Sequence, residues 1–159
     1  YGAEAPALAA THRVEGGAVV VRLEQRQKES WPVRLRVAVE TSRGRAARVV
    51  VLRERRQEFR FPAPGELRAV RLVDGGHLPV RVEHERPVSM LLHQLAREPD
   101  LAGRLDALDQ LQAACADKSR EAECRPLRAA LAERAAKDAS RLVRERAAKA
   151  LQPNTTTND

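Results

Sequence analysis

Few side chains in this sequence could do chemistry, and their spacing limits what they can do. Four histidines occur, at His12, His77, His84 and His93. His84-Glu85 matches the first two letters of a zinc-binding H-E-x-x-H helix, but positions 86–88 are Arg, Pro and Val. Without a second His at i+4, two imidazoles cannot converge on one metal from one helix face. His12 and His77 read as exposed, in an arm and beside a turn, and His93 reads as a polar contact between helices. Ser89 and His93 are spaced i, i+4, yet the sequence offers them no orienting acid and no oxyanion hole. Gly16-Gly17 and Gly75-Gly76 sit in turn contexts, not in a phosphate-cradling loop. No catalytic and no metal-ligating residue is assigned, so an autonomous enzyme is disfavoured and the chain is expected to carry no cofactor of its own.

Cys115 and Cys124 are nine apart, lack C-x-x-C spacing and have no neighbouring His, which argues against zinc. Cys115 continues an apolar helical stripe and suits a buried small residue. The sharper alternative is a disulfide to Cys124, stapling one helix to the loop before the next, which requires an oxidising compartment.

The elements that must position these residues change character at Pro87. Before it, apolar residues recur every second position; after it, at helical spacing. Residues 1–13 are Ala-rich and read as an arm or linker. Residues 14–86 read as an Ig-like β-sandwich of six strands. Its clearest alternation puts Val33, Leu35, Val37 and Val39 on one face and Arg34, Arg36, Ala38 and Glu40 on the other. Val49–Leu52 is apolar enough to suggest a central strand. Leu67–Val73 and Leu78–His84 are expected to form a hairpin across Asp74-Gly75-Gly76. Residues 87–152 read as four helices in two pairs, opened by Pro87, Pro99 and Pro126 and by Ser140 as a cap. Residues 153–159 form a polar tail. The fold class is therefore α+β: a small sandwich followed by a short HEAT- or armadillo-like helical segment.

Arg104–Leu111 and Arg144–Leu151 share R-x-x-A-[L/A]-x-x-L at an offset of 40, the length of a two-helix repeat. Leu105, Leu108 and Leu111 are then expected to pack near Val143, Ala147 and Leu151 as the repeat core. The last pair, with nothing to cover it, is expected to fray or to lie against a neighbour.

At 43% apolar residues a core can form, but with aromatics at 3% it must be built from Val, Leu and Ala. No apolar run of about 18 residues exists, which disfavours a membrane span. The net charge of +7 comes from 29 basic and 22 acidic residues, interleaved as in Arg53-Glu54-Arg55-Arg56-Gln57-Glu58. Such mixing suits a solvated surface better than a nucleic-acid patch. The chain lacks an initiator Met and an intact signal peptide, which suggests a processed protein or a fragment. Nothing in it chooses between cytoplasm and periplasm.

In order along the chain stand Leu23-Glu24-Gln25, Trp31-Pro32-Val33-Arg34-Leu35, Phe59-Arg60-Phe61-Pro62, Val70-Arg71-Leu72-Val73-Asp74 and Leu91-Leu92-His93-Gln94-Leu95. Taken together, residues 14–151 resemble the C-terminal part of the aminopeptidase N family of zinc metallopeptidases. In that family a small β-sandwich and a HEAT-like helical domain follow the catalytic domain. The family's H-E-x-x-H motif and its G-x-M-E-N motif have no match here, so no catalytic or zinc residue carries over. The resemblance implies a non-catalytic segment that packs on the parent's catalytic domain, where the zinc is expected, and touches peptide substrate only indirectly. A protein-interaction scaffold from a peptidase-inactive relative is the alternative, and an Arg-rich nucleic-acid module is a second.

Overall fold

The computed structural model describes residues 5–74 and 80–153. Two compact units divide at Arg86/Pro87. The class is α+β.

The first unit holds seven strands: β1 (Ala7–Glu15), β2 (Ala18–Gln25), β3 (Val33–Thr41), β4 (Gly44–Leu52), β5 (Arg56–Pro62), β6 (Leu67–Asp74) and β7 (Arg81–His84). They form a four-stranded sheet in the order β5-β2-β1-β7 and a three-stranded sheet in the order β4-β3-β6. Inward-facing residues of both sheets share one core, including Leu8, Val19, Val21 and Leu23 from one and Leu35, Val37, Leu52 and Val70 from the other. The period-two pattern of β3 thus becomes one dry face and one wet face. Each Leu or Val so buried contributes about 1.5–3 kcal/mol relative to exposure.

Three expectations are corrected here. The supposed arm, residues 1–13, contains most of β1, which pairs antiparallel with β2 and parallel with β7. Its alanines favour strands poorly, but Leu8 and Ala10 alternate into the core, and Gly16-Gly17 closes the turn to β2 with φ of 53° and 72°. Two successive positive φ angles define the hairpin turn that suits right-twisted strands. Secondly, β6 and β7 do not pair: β6 joins β3, whereas β7 joins β1 in the other sheet. Residues 75–79, with His77 and most of the expected turn, lie outside the described residues. A local turn signal says that two strands end near each other, not which sheet edge each one completes. Thirdly, β4 is an edge strand, and Val49 is 45% exposed.

The second unit holds α1 (Val88–Arg97), α2 (Leu101–Cys115), a 3₁₀ turn (Lys118–Arg120) running into the short α3 (Glu121–Cys124), α4 (Leu127–Lys137) and α5 (Arg141–Ala150). Among the described residues, no helix is long and apolar enough to cross a membrane. Asp100 caps α2 by accepting from the Gly103 N–H at 2.5 Å. Ser140 occupies the N-cap position of α5, but its side chain makes no capping hydrogen bond. Its own N–H instead donates to Asp138 Oδ1 at 2.9 Å, so the carboxylate two residues earlier organises that turn.

Val88, Leu91, Leu95, Leu108, Leu111, Leu131, Val143 and Ala147 are buried in one cluster, with Leu105 and Leu151 packed against it. Leu101, at the head of the α2 stripe, is 41% exposed. Of the two outcomes expected for the last pair, fraying is not seen, since α5 is regular from Arg141 to Ala150. Its composition differs from that of the first pair. Forty residues on from Val88, Leu92, Leu105 and Leu108 stand Arg128, Ala132, Glu145 and Ala148, all exposed. Charged and small residues thus replace the larger apolar ones at these positions, while Leu142 on α5 keeps 43% exposure.

Candidate functional site

Strand pairing brings His12 and His84 together. In the parallel β1–β7 register Ala10 faces His84, and His12 is the next residue on the same side of β1. His12 Nδ1 and His84 Nε2 are 2.8 Å apart, and the rings meet edge to face at 86°. At that distance one ring donates its N–H to the other's lone pair, so at least one imidazole is neutral. Burial, followed by the charge of Arg86 and by His12, lowers the pKa of His84 to about 3. Burial and then Arg86 lower that of His12 as well.

These residues do not fit a zinc site. A zinc ion needs about three converging ligands, whereas here a guanidinium supplies positive charge and the imidazoles are engaged with each other. Among the described residues no group of three or more His, Cys, Asp or Glu could hold a metal ion. His84-Glu85 lies at a strand end, and Glu85 is exposed. Ser89 is exposed in the first turn of α1, and His93 is half-buried one turn later.

Cys115 and Cys124 are bonded, with Cα atoms 5.8 Å apart. The bridge joins the end of α2 to the end of α3, so the expected polar loop is a short helical turn held at both ends. Beside it, α2, α4 and α5 enclose an open groove of about 780 Å³, lined by residues including Asp109, Cys115, Leu131, Arg146 and Lys149. Arg146 Nη1 lies 3.5 Å from Asp109 Oδ1 there.

The structure adds two polar clusters that the sequence reading missed. Buried Gln25 donates through Nε2 to the Glu54 carbonyl at 3.1 Å and accepts from the Trp31 N–H at 3.1 Å. Gln27 donates to the same Gln25 Oε1 and accepts from the Ala7 N–H at 3.3 Å. Two amides therefore tie the end of β2 to β1, to Trp31 and to the turn before β5. The spacing Gln25-x-Gln27 beside an apolar strand was the available signal.

The second cluster surrounds Asp138, whose side chain is 1% exposed. Arg104 on α2 places Nε 3.1 Å from Asp138 Oδ2 and donates from Nη2 to Oδ1 at 3.2 Å. Its Nη1 donates to the carbonyls of Glu98 and Pro99 at 3.0 and 2.8 Å. Arg144, forty residues on, donates from Nη1 to the carbonyls of Asp138 and Ala139 at 2.6 and 3.2 Å. Each arginine thus clasps the end of the helix preceding its own.

No family model and no curated protein matches the chain. Among solved structures, the chain is similar to aminopeptidase A of Legionella pneumophila, crystallised with aspartic acid, at a TM-score of 0.66 and 16% identity. The similarity covers 86% of this chain and 17% of that one. At that identity the likeness is one of fold, and the chain spans about a sixth of the length of the protein it resembles.

Proposed function

We propose that this chain is a non-catalytic C-terminal segment of an aminopeptidase N-like zinc metallopeptidase. In this reading it packs on the catalytic domain and helps to enclose the peptide substrate. The observation that carries the reading is the fold likeness to one part of an aminopeptidase, over 86% of the chain. The ordered motifs from Leu23 to Leu95 support it independently. The sandwich then corresponds to the family's Ig-like domain, and the two helix pairs correspond to the start of its HEAT-like domain. The matching clasps of Arg104 and Arg144 support a repeat. In the parent, zinc would activate the water that attacks the peptide carbonyl. This chain would shape the surroundings and move no proton.

The test is an assay of the purified chain, with added zinc, on leucyl and alanyl chromogenic amides. No turnover above a blank purified in parallel is expected. Chelator-sensitive turnover would overturn the accessory role. Reading the open reading frame upstream separates the alternative, a scaffold from a peptidase-inactive relative, because only an active parent carries H-E-x-x-H.

A further inference from the structure

The two outer faces of the sandwich are built differently. On the four-stranded sheet, the register puts arginines beside glutamates throughout: Arg56 faces Glu24, and Glu58 faces Arg22. Arg13 lies 2.9 Å from Glu58, Arg56 3.2 Å from Glu24 and Arg60 3.6 Å from Glu15. That face is a neutralised, solvated ladder.

On the outer face of the three-stranded sheet such pairing is partial, with Glu40 facing Arg45 across the ladder. Arg34 and Arg36 stand on β3, Arg45 on β4 and Arg71 on β6, and Glu40 is the one carboxylate among them. Arg34 and Arg36 are exposed and have no ion-pair partner among the described residues. Between the arginines lie Val49, Val51 and Val73, where a wet sheet would carry Ser, Thr or Lys. Val49 faces Arg36 across the ladder at 45% exposure. Arginine is enriched, and lysine and serine depleted, at protein interfaces.

We propose that this face, centred on Arg34 and Arg36, docks an acidic protein surface that carries aliphatic side chains of its own. The proposal rests on the reading above that the chain packs against another domain, and it names the chemistry of that domain's surface. Carboxylates on the partner would take the two guanidiniums, for which planar bidentate pairing is the favoured geometry. The valines between them would be covered by apolar contact. A nucleic-acid strand fits less well, because the face offers no aromatic ring on which a base could stack.

The test titrates short poly-L-glutamate into the labelled chain and follows backbone amide shifts. Shifts are expected to cluster on β3, β4 and β6. The pair Arg34→Glu, Arg36→Glu should weaken binding by about tenfold or more. The pair Arg22→Glu, Arg81→Glu makes the same change of net charge on the other sheet and should weaken it by less than about threefold. Arg34→Gln with Arg36→Gln repeats the measurement without reversing charge, and a thermal melt confirms that each variant is folded. Equal losses in both reversal pairs would show generic charge attraction and overturn the proposal. Tighter binding of an oligonucleotide to the same residues, at the same salt, would also overturn it. The two readings fail separately: peptidase turnover removes the accessory role alone, and a probe indifferent to Arg34 and Arg36 removes this face alone.

Discussion

Arg104 and Asp138 meet across the two helix pairs with their charges almost wholly out of water, at 11% and 1% side-chain exposure. The carboxylate receives the guanidinium from α2 and the N–H of Ser140 at once. It therefore fixes both the contact between the pairs and the turn into α5. Arg134 Nη1 also lies 3.7 Å from Asp138 Oδ2. Asp138→Ala, which strands Arg104, should destabilise the helical unit by about 3 kcal/mol, and Arg104→Ala, which leaves Asp138 its Arg134 partner, by less. Losses in the double variant well short of additive would confirm direct coupling. Denaturant melts followed on the helical signal measure this.

The histidine pair gives a pH dependence whose sign can be worked out. His84 titrates at about 3 in the folded chain against 6.5 in the unfolded one, so between those values the unfolded state holds more protons. Stability must therefore fall as pH falls through that window. His12 shifts in the same direction. Melting temperatures should drop between pH 7 and 5.5, above the range where carboxylates titrate. His84→Gln should flatten that part of the curve.

The disulfide closes a short ring, with a sequence separation of 9. Chain-entropy reasoning gives such a ring about 2.5 kcal/mol. Reduction, or the pair Cys115→Ser, Cys124→Ser, should lower the stability of the helical unit by about that amount and leave the sandwich transition where it was. Differential scanning calorimetry with and without reductant separates the two.

Gln25 is 1% exposed and serves partners from three segments. Gln25→Leu nearly conserves volume but strands the Trp31 N–H, the Glu54 carbonyl and one donor of Gln27. The expected cost is about 2–4 kcal/mol, one desolvation penalty for each group. Faster amide exchange at Trp31 in the variant would identify the cause.

Period and stripe made much of this fold legible. Val33–Val39 announced a half-buried strand, and Val88, Leu91 and Leu95 announced a helix face, because each pattern is set within a few residues. What failed was non-local. β1 is Ala-rich, and its pairing with β2 and β7, not its own propensity, makes it a strand. The hairpin misreading had the same root, since β7 needs the edge of β1, more than sixty residues back. His12 and His84 looked unrelated for that reason as well. Arg104 entered only as part of the repeat motif and Asp138 drew no notice, because their separation of 34 carries no local signature.

The parallel pairing of β1 with β7 also decides how the sandwich responds to tension. Ala7–Ala10 lies alongside Arg81–His84, so the first and last strands of the unit are neighbours that point the same way. A pull on Pro6 from one side and on Pro87 from the other draws the two strands past each other along their own axes. The ladder is then loaded in shear, with its hydrogen bonds strained together and not opened one after another. Beneath it, the paired rings of His12 and His84 sit on the same sliding line. Stretched between its neighbours in a longer polypeptide, this unit would act as a mechanical clamp whose grip is set by four pairs of residues.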